Sequence, residues 1–244
     1  MKHLRAALAI VTLAVMAACS PARVQSVADY AGPSLPRPDR VIVYDFAIAP
    51  EQVHLDQGIG ARIKRASGGQ PVSAQEWQAA TATQSALADA LTAELVSYGL
   101  PAARATGDAA PTEGTSLLVR GQIVGIDEGN RTRRVLIGLG AGKSSVSADA
   151  QLYYVAYPAP PRLLSAFQGS SDSGRAPGIV GTAGVGAAAG RLATSAAVGG
   201  AMHAGSEARR TGDSANATRL ADALGRQIGR FAAAQAWIAP GAVK

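Results

Sequence analysis

Cysteine is nearly absent from this chain, because only one of its 244 residues, Cys19, carries a thiol. That excludes a disulfide within the chain and the cysteine clusters that hold structural zinc. Histidine is scarce, with three residues, and aromatic side chains make up 5% of the sequence. Long apolar runs are missing too, since the run 6–18 is shorter than the roughly 20 residues that cross a bilayer. With so few ligands and nucleophiles, the sequence predicts no catalytic, cofactor-binding or metal site.

The residues before Cys19 have the layout of a secretory signal. A basic start and the apolar run 6–18 lead to the small residues Ala17 and Ala18, directly before the cysteine. This ending resembles the lipobox of bacterial lipoproteins, with Met16 where that family prefers leucine. The resemblance implies cleavage before Cys19 and lipidation of its thiol and of the new amino terminus. The alternative is an ordinary signal peptide that ends near a cysteine.

Ser20 follows the cysteine and bears on where the protein goes. In the sorting rule of Gram-negative lipoproteins, a residue other than Asp at this position implies transfer to the outer membrane. We therefore expect a protein anchored by its N-terminal lipid on the periplasmic face of the outer membrane. Two or more acyl chains make such anchoring stable.

Positive charge is in modest excess, with a formal net charge of +6. Nucleic-acid binding favours basic residues clustered with aromatic ones. The nearest basic cluster, which is Arg131, Arg133, Arg134 and Lys143, contains no aromatic residue. We therefore expect no nucleic-acid partner. Anionic lipid headgroups or lipopolysaccharide fit this charge better, and the plain alternative is a solvated basic surface.

Composition divides the chain into five parts. We assign residues 1–18 to the signal, 19–40 to the lipidated cysteine and a flexible tether, 41–170 to a core domain, 171–212 to a Gly/Ala-rich segment and 213–244 to a C-terminal helix packing on the core. Four prolines, Pro21, Pro33, Pro36 and Pro38, interrupt regular structure in the tether. Residues 51–72 are polar and glycine-rich, which predicts a long loop.

Four segments have the composition of strands. In the segment 40–49, residues 41–46 are β-branched or aromatic at every position except Asp45, which suits a strand buried on both faces. Residues 145–155 alternate between polar and apolar side chains, as in a strand half exposed to water. Residues 116–127 and 163–169 complete the set.

Two segments have the spacing of amphipathic helices. In 72–98 a stripe formed by Trp77, Leu87, Leu91, Leu95 and Tyr98 recurs on one side, and Ser73 with Glu76 fits a capping box. A second helix is predicted over 213–238. The expected fold is therefore α+β, with a mostly antiparallel sheet of about four strands and two helices on one face.

Residues 178–205 consist mainly of Gly, Ala, Val and Thr. The spacing from Gly186 to Gly190 places small residues one helical turn apart, which lets helices approach closely. Arg191 divides the segment into two pieces, each too short to span a bilayer. The alternatives are a pair of close-packed helices, in water or partly inserted in a membrane, and a flexible loop.

Residues 138–144 imitate a phosphate-binding loop but lack its spacing. The pattern requires Gly, four residues and then Gly-Lys-Ser or Gly-Lys-Thr. Counting back from Lys143 places Ile137 at the first position, so the loop that starts at Gly138 is one residue short. The element that follows should also be a helix, whereas 145–155 alternate like a strand. We therefore expect no nucleotide site.

The stretch from Arg134 to Gly142 resembles a group of bacterial lipoproteins, domain of unknown function family 4410. The hallmark of that family is an Arg-Val-x-Ile-Gly-Phe-Gly-x-Gly-like stretch before an alternating strand. Here Leu139 replaces the usual aromatic residue. The likeness extends loosely over 41–167 and implies an envelope lipoprotein without assigned catalytic residues.

The candidate interaction motif consists of Arg134, Gly138, Gly140, Gly142 and Lys143. Its alternating glycines would strip side chains from one face of a strand, so that another backbone could approach. They would equally suit a tight, bulged hairpin turn.

Together these observations predict a non-enzymatic envelope lipoprotein with a structural or protein-interaction role and an unidentified envelope protein as partner. A second hypothesis is an oligomeric secretion or assembly accessory that inserts residues 178–205 into the membrane. A third is a hydrolase or nucleotide-binding protein, for which the sequence offers the least support.

Overall fold

One mixed β-sheet organises the part of the chain that the computed structural model describes, which is residues 22–68, 71–130, 133, 142–174 and 212–243. Within it, seven strands follow the order β1-β7-β6-β5-β2-β4, with β3 pairing beside β5. Their bounds are Arg23–Ala28 (β1), Arg40–Tyr44 (β2), Val53–His54 (β3), Ala102–Ala105 (β4), Thr115–Asp127 (β5), Ser145–Ala156 (β6) and Arg162–Asp172 (β7).

The sheet combines antiparallel and parallel pairs. Strands β1, β7, β6 and β5 are antiparallel neighbours, whereas β2 pairs in parallel with both β4 and β5. Three α-helices accompany the described sheet: α1 (Ile59–Gly68), α2 (Val72–Ser97) and α3 (Asp213–Ala234). Helix α2 lies between β2 and β4 in the chain, so these three elements form a parallel crossover unit.

The expected fold, with about four strands and two helices, is wrong in its number of elements, because the described sheet has seven strands and three α-helices accompany it. The sheet is mostly antiparallel, as expected, but also contains parallel pairs. The four predicted strands are present as β2, β5, β6 and β7, whereas β1, β3 and β4 lie outside the prediction. Strand β4 is rich in alanine, a residue that is uncommon in strands. This segment forms a strand because it pairs with Val41–Tyr44 of β2. Strand β1 pairs with β7, in a region predicted to be a flexible tether.

Helices α2 and α3 pack together on one face of the sheet. The side chains of Leu87, Leu91 and Leu95 from α2 are fully buried, as are Leu220, Leu224 and Ile228 from α3. They contact the inner face of the sheet, where Val119 and Leu152 are equally inaccessible. Burying such side chains against a sheet supplies the main favourable free energy of this fold.

Several local predictions for the helices need correction. The sequence pattern includes Trp77 in the core stripe of α2, but this residue is 53% exposed. The capping box is absent too, because Pro71 is the N-cap residue and no side chain caps the helix. The prediction of a long loop over 51–72 is wrong. This region contains β3, α1 and most of a 3-10 turn at Pro50–Gln52.

The alternation predicted for β6 is confirmed. Val146, Ala148, Ala150 and Leu152 are buried beneath the helices, and the residues between them face the other side of the sheet with partial exposure. The positive φ of Gly99, 84°, ends α2 as expected of a glycine after a helix.

Strand polarity defines one end of the sheet, which we call the upper edge. There β3, β5 and β7 end and β1 and β6 begin, as shown by the pairs His54–Asp127, Asp127–Ser145, Ser145–Asp172 and Arg23–Ser170. Helix α1 follows β3 at this edge, and α2 runs from there down to β4. Helix α3 also begins at the upper edge, where the Asn216 amide donates a hydrogen bond to Ser144.

Replacing Leu91 with alanine tests the core of α2. Because Leu91 is fully buried, Leu91→Ala is expected to lower the free energy of unfolding by about 2–5 kcal/mol. Chemical denaturation followed by circular dichroism measures the change. Val96→Ala is the matched control, because Val96 lies on the same helix and is 51% exposed. Equal denaturation midpoints for Leu91→Ala and the unaltered chain would contradict this packing.

Candidate functional site

The described part of the interaction motif lies at the upper edge, in the connection between β5 and β6. Gly142 and Lys143 lie three and two residues before the start of β6. Arg134, Gly138 and Gly140 lie outside the described residues, and so does Cys19 with the whole signal 1–18. The Gly/Ala-rich residues 178–205 also lie outside them.

Gly142 has a structural reason to be glycine. Its φ of 69° falls in the left-handed region, and an added Cβ would collide with the backbone oxygen of Asn130. The Asn130 amide donates a hydrogen bond of 2.9 Å to the Gly142 carbonyl, which closes the base of the connection. Gly129 on the opposite side has a φ of 68°, so the two glycines let the chain leave β5 and enter β6 at close approach.

Lys143 is engaged in an ion pair with Asp172. The Lys143 Nζ lies 2.7 Å from Asp172 Oδ2, at the end of β7. Burial would raise the pKa of Asp172, but hydrogen bonds from Lys143 and the Gly174 amide, with the charges of Lys143 and Arg23, hold that pKa below its usual value. The carboxylate is therefore charged at neutral pH, and the ion pair joins the start of β6 to the end of β7.

A polar cluster beside this ion pair fastens α3 to the sheet. Asn216, fully buried in the first turns of α3, donates to Ser144 Oγ at 3.0 Å. The Ser144 amide donates to Ser173 Oγ at 3.1 Å, and the Ser173 amide donates to the Ser144 carbonyl at 2.9 Å. Arg219 donates to the backbone oxygen of Asp172 and also contacts the Asn216 side-chain oxygen. These contacts connect α3 with the strand ends beneath it.

The upper edge also receives the ends of the segments that lie outside the described residues. The described chain begins at Ala22, immediately before β1. It leaves the described structure after Gly174, just beyond β7, and re-enters at Gly212, just before α3. The N-terminal segment, the glycine-rich connection and the Gly/Ala-rich segment are therefore joined to the same edge, a convergence that no local sequence pattern could show.

Helix α1 adds exposed apolar side chains at this edge that were not predicted from the sequence. Ile59 and Ile63 are 71% and 64% exposed, and Val72 and Trp77 at the start of α2 are 55% and 53% exposed. The four-residue spacing of the two isoleucines, with Arg62 between them, is a weak amphipathic signal that could have indicated this helix.

Away from the upper edge, two arginines make structural contacts, and one of them lines a cleft. Arg104 binds Asp45 at 2.6 Å and Asp89 at 2.9 Å, which ties β4 to the end of β2 and to α2. A cleft of about 500 Å³ beside the C-terminal end of α2 is lined by Tyr98 and Trp237. Arg37, which also lines this cleft, donates to the Gly99 carbonyl at 2.9 Å.

The described chain contains neither a membrane-crossing helix nor a cluster of metal ligands. None of its helices is long and apolar enough to cross a membrane. Nor do its His, Cys, Asp and Glu residues form a group of three or more that could hold a metal ion.

Comparison with known proteins identifies a family. The family model with the description "Domain of unknown function (DUF4410)" matches residues 41–190. No curated protein matches the chain significantly. Among solved structures, the chain is similar to a variant PelC dodecamer from Paraburkholderia phytofirmans, with 13% identity over 63% of this chain and 82% of that chain. The TM-score is 0.30, a likeness too weak to support any conclusion about fold or function.

The strand that follows Lys143 yields a prediction about nucleotides. A phosphate-binding loop presents amide groups at a helix N-terminus, whereas Lys143 leads into β6 and pairs with Asp172. We expect equilibrium dialysis with labelled ATP to show no saturable binding at millimolar concentration. Saturable binding that Lys143→Ala removes and Arg62→Ala leaves intact would contradict this expectation.

Proposed function

The chain belongs to the DUF4410 family of domains of unknown function, and from that premise we propose that it is a lipid-anchored envelope protein without catalytic activity. In this proposal, the lipid on Cys19 holds the protein on the periplasmic face of the outer membrane. The folded domain then serves as a structural or binding element for another envelope protein.

The observation that carries this proposal is the signal-like segment that ends at Cys19, only three residues before the described fold begins. Ala22 lies at the upper edge, and Cys19 precedes it by three residues. An extended chain spans at most about 3.6 Å per residue, so a lipid on Cys19 would keep this edge within about 11 Å of the bilayer. The upper edge is then the part of the domain nearest the membrane.

The chemistry of the upper edge supports a role without catalysis. Several of its polar side chains bind one another, as in the Lys143–Asp172 ion pair and the Asn216–Ser144 hydrogen bond. Catalytic groups, in contrast, are usually poised toward a pocket with shifted pKa values suited to proton transfer. We therefore do not propose the third hypothesis, a hydrolase or nucleotide-binding protein.

A second candidate function has one observation in its favour. The chain leaves the described structure after Gly174 and returns at Gly212, and both points lie at the upper edge. In the proposed orientation, residues 178–205 would therefore be joined to the membrane side of the domain. Their small residues suit close helix packing, which supports an oligomeric secretion or assembly accessory as the alternative.

Lipidation is tested by metabolic labelling with a radioactive fatty acid. The unaltered chain should be labelled, and Cys19→Ala should not, because no other thiol exists in the sequence. Ser20→Ala is the control and should remain labelled. Under the sorting rule, Ser20→Asp should remain labelled but move to the inner-membrane fraction. Equal labelling of Cys19→Ala would show that the protein is not a lipoprotein of this kind.

The role of the Gly/Ala-rich segment is tested by deleting residues 178–205 and bridging the gap with a short linker. The domain should stay folded, because ordering glycine-rich backbone is costly and these residues bring few large side chains to a core. If the segment mediates oligomerisation, the deletion should remove high-mass species in detergent, as measured by light scattering. Gly186→Leu should weaken them. A deletion variant that fails to fold would place the segment in the core instead.

A further inference from the structure

Helix α1 is amphipathic, yet its apolar face points into solvent. Ile59 and Ile63 lie four residues apart and therefore share one side of the helix. They are 71% and 64% exposed, whereas the apolar stripe of a surface helix ordinarily faces the core. Something outside the described structure must cover this stripe if its apolar area is to be removed from water.

The start of α2 carries further exposed apolar side chains. Val72 and Trp77, in its first two turns, are 55% and 53% exposed, and Trp77 lines a shallow groove with Thr81. Four large exposed apolar side chains thus lie within 59–77. The others in the described chain are scattered through the fold, at Val27, Val96, Val124, Tyr157 and Leu163. We call the described residues 59–68 and 71–77 the apolar edge segment.

The apolar edge segment is positively charged, except for Glu76 near its end. Between Asp56 and Glu76 the sequence contains no acidic residue, but α1 carries Arg62, Lys64 and Arg65. Arg62 is exposed and lies between the two isoleucines in sequence. A helix with exposed apolar residues on one side and basic residues nearby is the pattern of segments that lie on anionic membranes.

We propose that the apolar edge segment binds the surface of an anionic lipid bilayer. Ile59, Ile63 and Trp77 enter the boundary between headgroups and acyl chains, and Arg62 contacts lipid phosphates. This inference rests on the proposed function for its orientation, since the upper edge is where the lipid on Cys19 would hold the domain. Tryptophan is a residue that membrane interfaces favour, because its ring is apolar and its N–H remains hydrogen-bonded.

A bilayer explains the location of the segment better than a folded protein partner does. Helix α1 follows β3, beside β5, and the N-terminal entry point lies on β1 at the far side of the sheet. Neighbouring strands are about 4.8 Å apart, so these two attachment points are separated by four strand spacings, or about 19 Å. A flat surface can contact both attachment points at once. It can also lie against the strand ends between them.

The chain contains a built-in probe for this contact. It has two tryptophans, of which Trp77 is exposed and Trp237 is 3% exposed. We therefore use the chain from Ser20 to Lys244 without its lipid, which retains every described residue because the described structure begins at Ala22. Vesicles of phosphatidylglycerol and phosphatidylcholine should shift the emission of Trp77 to shorter wavelength, and brominated lipids should quench it. Vesicles of phosphatidylcholine alone should have a much smaller effect.

Variants separate the apolar edge segment from other exposed surfaces. Ile63→Ser and Arg62→Glu should each weaken vesicle binding by about tenfold or more, as expected when one apolar or charged contact with the bilayer is lost. Val96→Ser is the matched control, because Val96 is also half exposed and lies at the opposite end of α2. It should bind vesicles like the unaltered chain, and circular dichroism should show that all three variants are folded.

Three outcomes would overturn the proposal: no change in Trp77 emission, equal loss of binding in Val96→Ser, or a blue shift that depends on protein concentration without vesicles. The last would show that a second copy of the chain covers the segment, and analytical ultracentrifugation would detect it. Failure here is distinguishable from failure of the proposed function. The vesicle assay uses a chain without lipid, whereas acylation of Cys19 is measured by metabolic labelling.

Discussion

The pairing of β5 with strands on both sides is the constraint on which the structure depends. At 13 residues β5 is the longest described strand, and it pairs with β6 along its whole length on one side. On the other side it pairs with β2 near its start and with β3 at its end. Leu117, Val119, Ile123 and Ile126 of this strand are fully buried under the helices. Because β5 sets the direction of its neighbours, it also determines which connections meet at the upper edge.

Strand polarity then explains why sequence features with no obvious relation come together. An antiparallel neighbour begins where β5 ends, so the glycine-rich connection must lie at the upper edge. Strand β7 runs parallel to β5 and ends there, which directs the Gly/Ala-rich segment to the same place. Strand β1 begins beside the end of β7, and so the N-terminal segment enters there too. The upper edge is thus a consequence of topology.

Local patterns in the sequence predicted the elements that bury the most apolar surface. The leucines of α2 and the alternation of β6 are such cases, and both match the structure. Strands β1 and β4 could not be predicted, because their short polar or alanine-rich sequences form strands only through pairing with distant residues. The prediction for Trp77 is wrong for a related reason: helical spacing identifies a face of the helix, but not how far along the helix the core extends.

The candidate site could be predicted only in part. The sequence motif identified Gly142 and Lys143, whereas Asp172 and Asn216, which complete the polar contacts there, are distant in sequence.

The upper edge combines two kinds of surface with different consequences. The polar side chains of Lys143, Asp172, Ser144 and Asn216 bind one another and hold β6, β7 and α3 in place. Its apolar side chains on α1 and at the start of α2 are exposed to solvent in the described structure. A helix of 10 residues binds a bilayer weakly by itself, since binding strength scales with buried apolar area. A lipid anchor three residues before the fold would strengthen this binding. Once the lipid is inserted, α1 and the bilayer surface are held together at a high effective concentration. A weakly binding helix and a short lipid tether at the same edge would together fix the orientation of the domain on the membrane. Neither contact would do so alone.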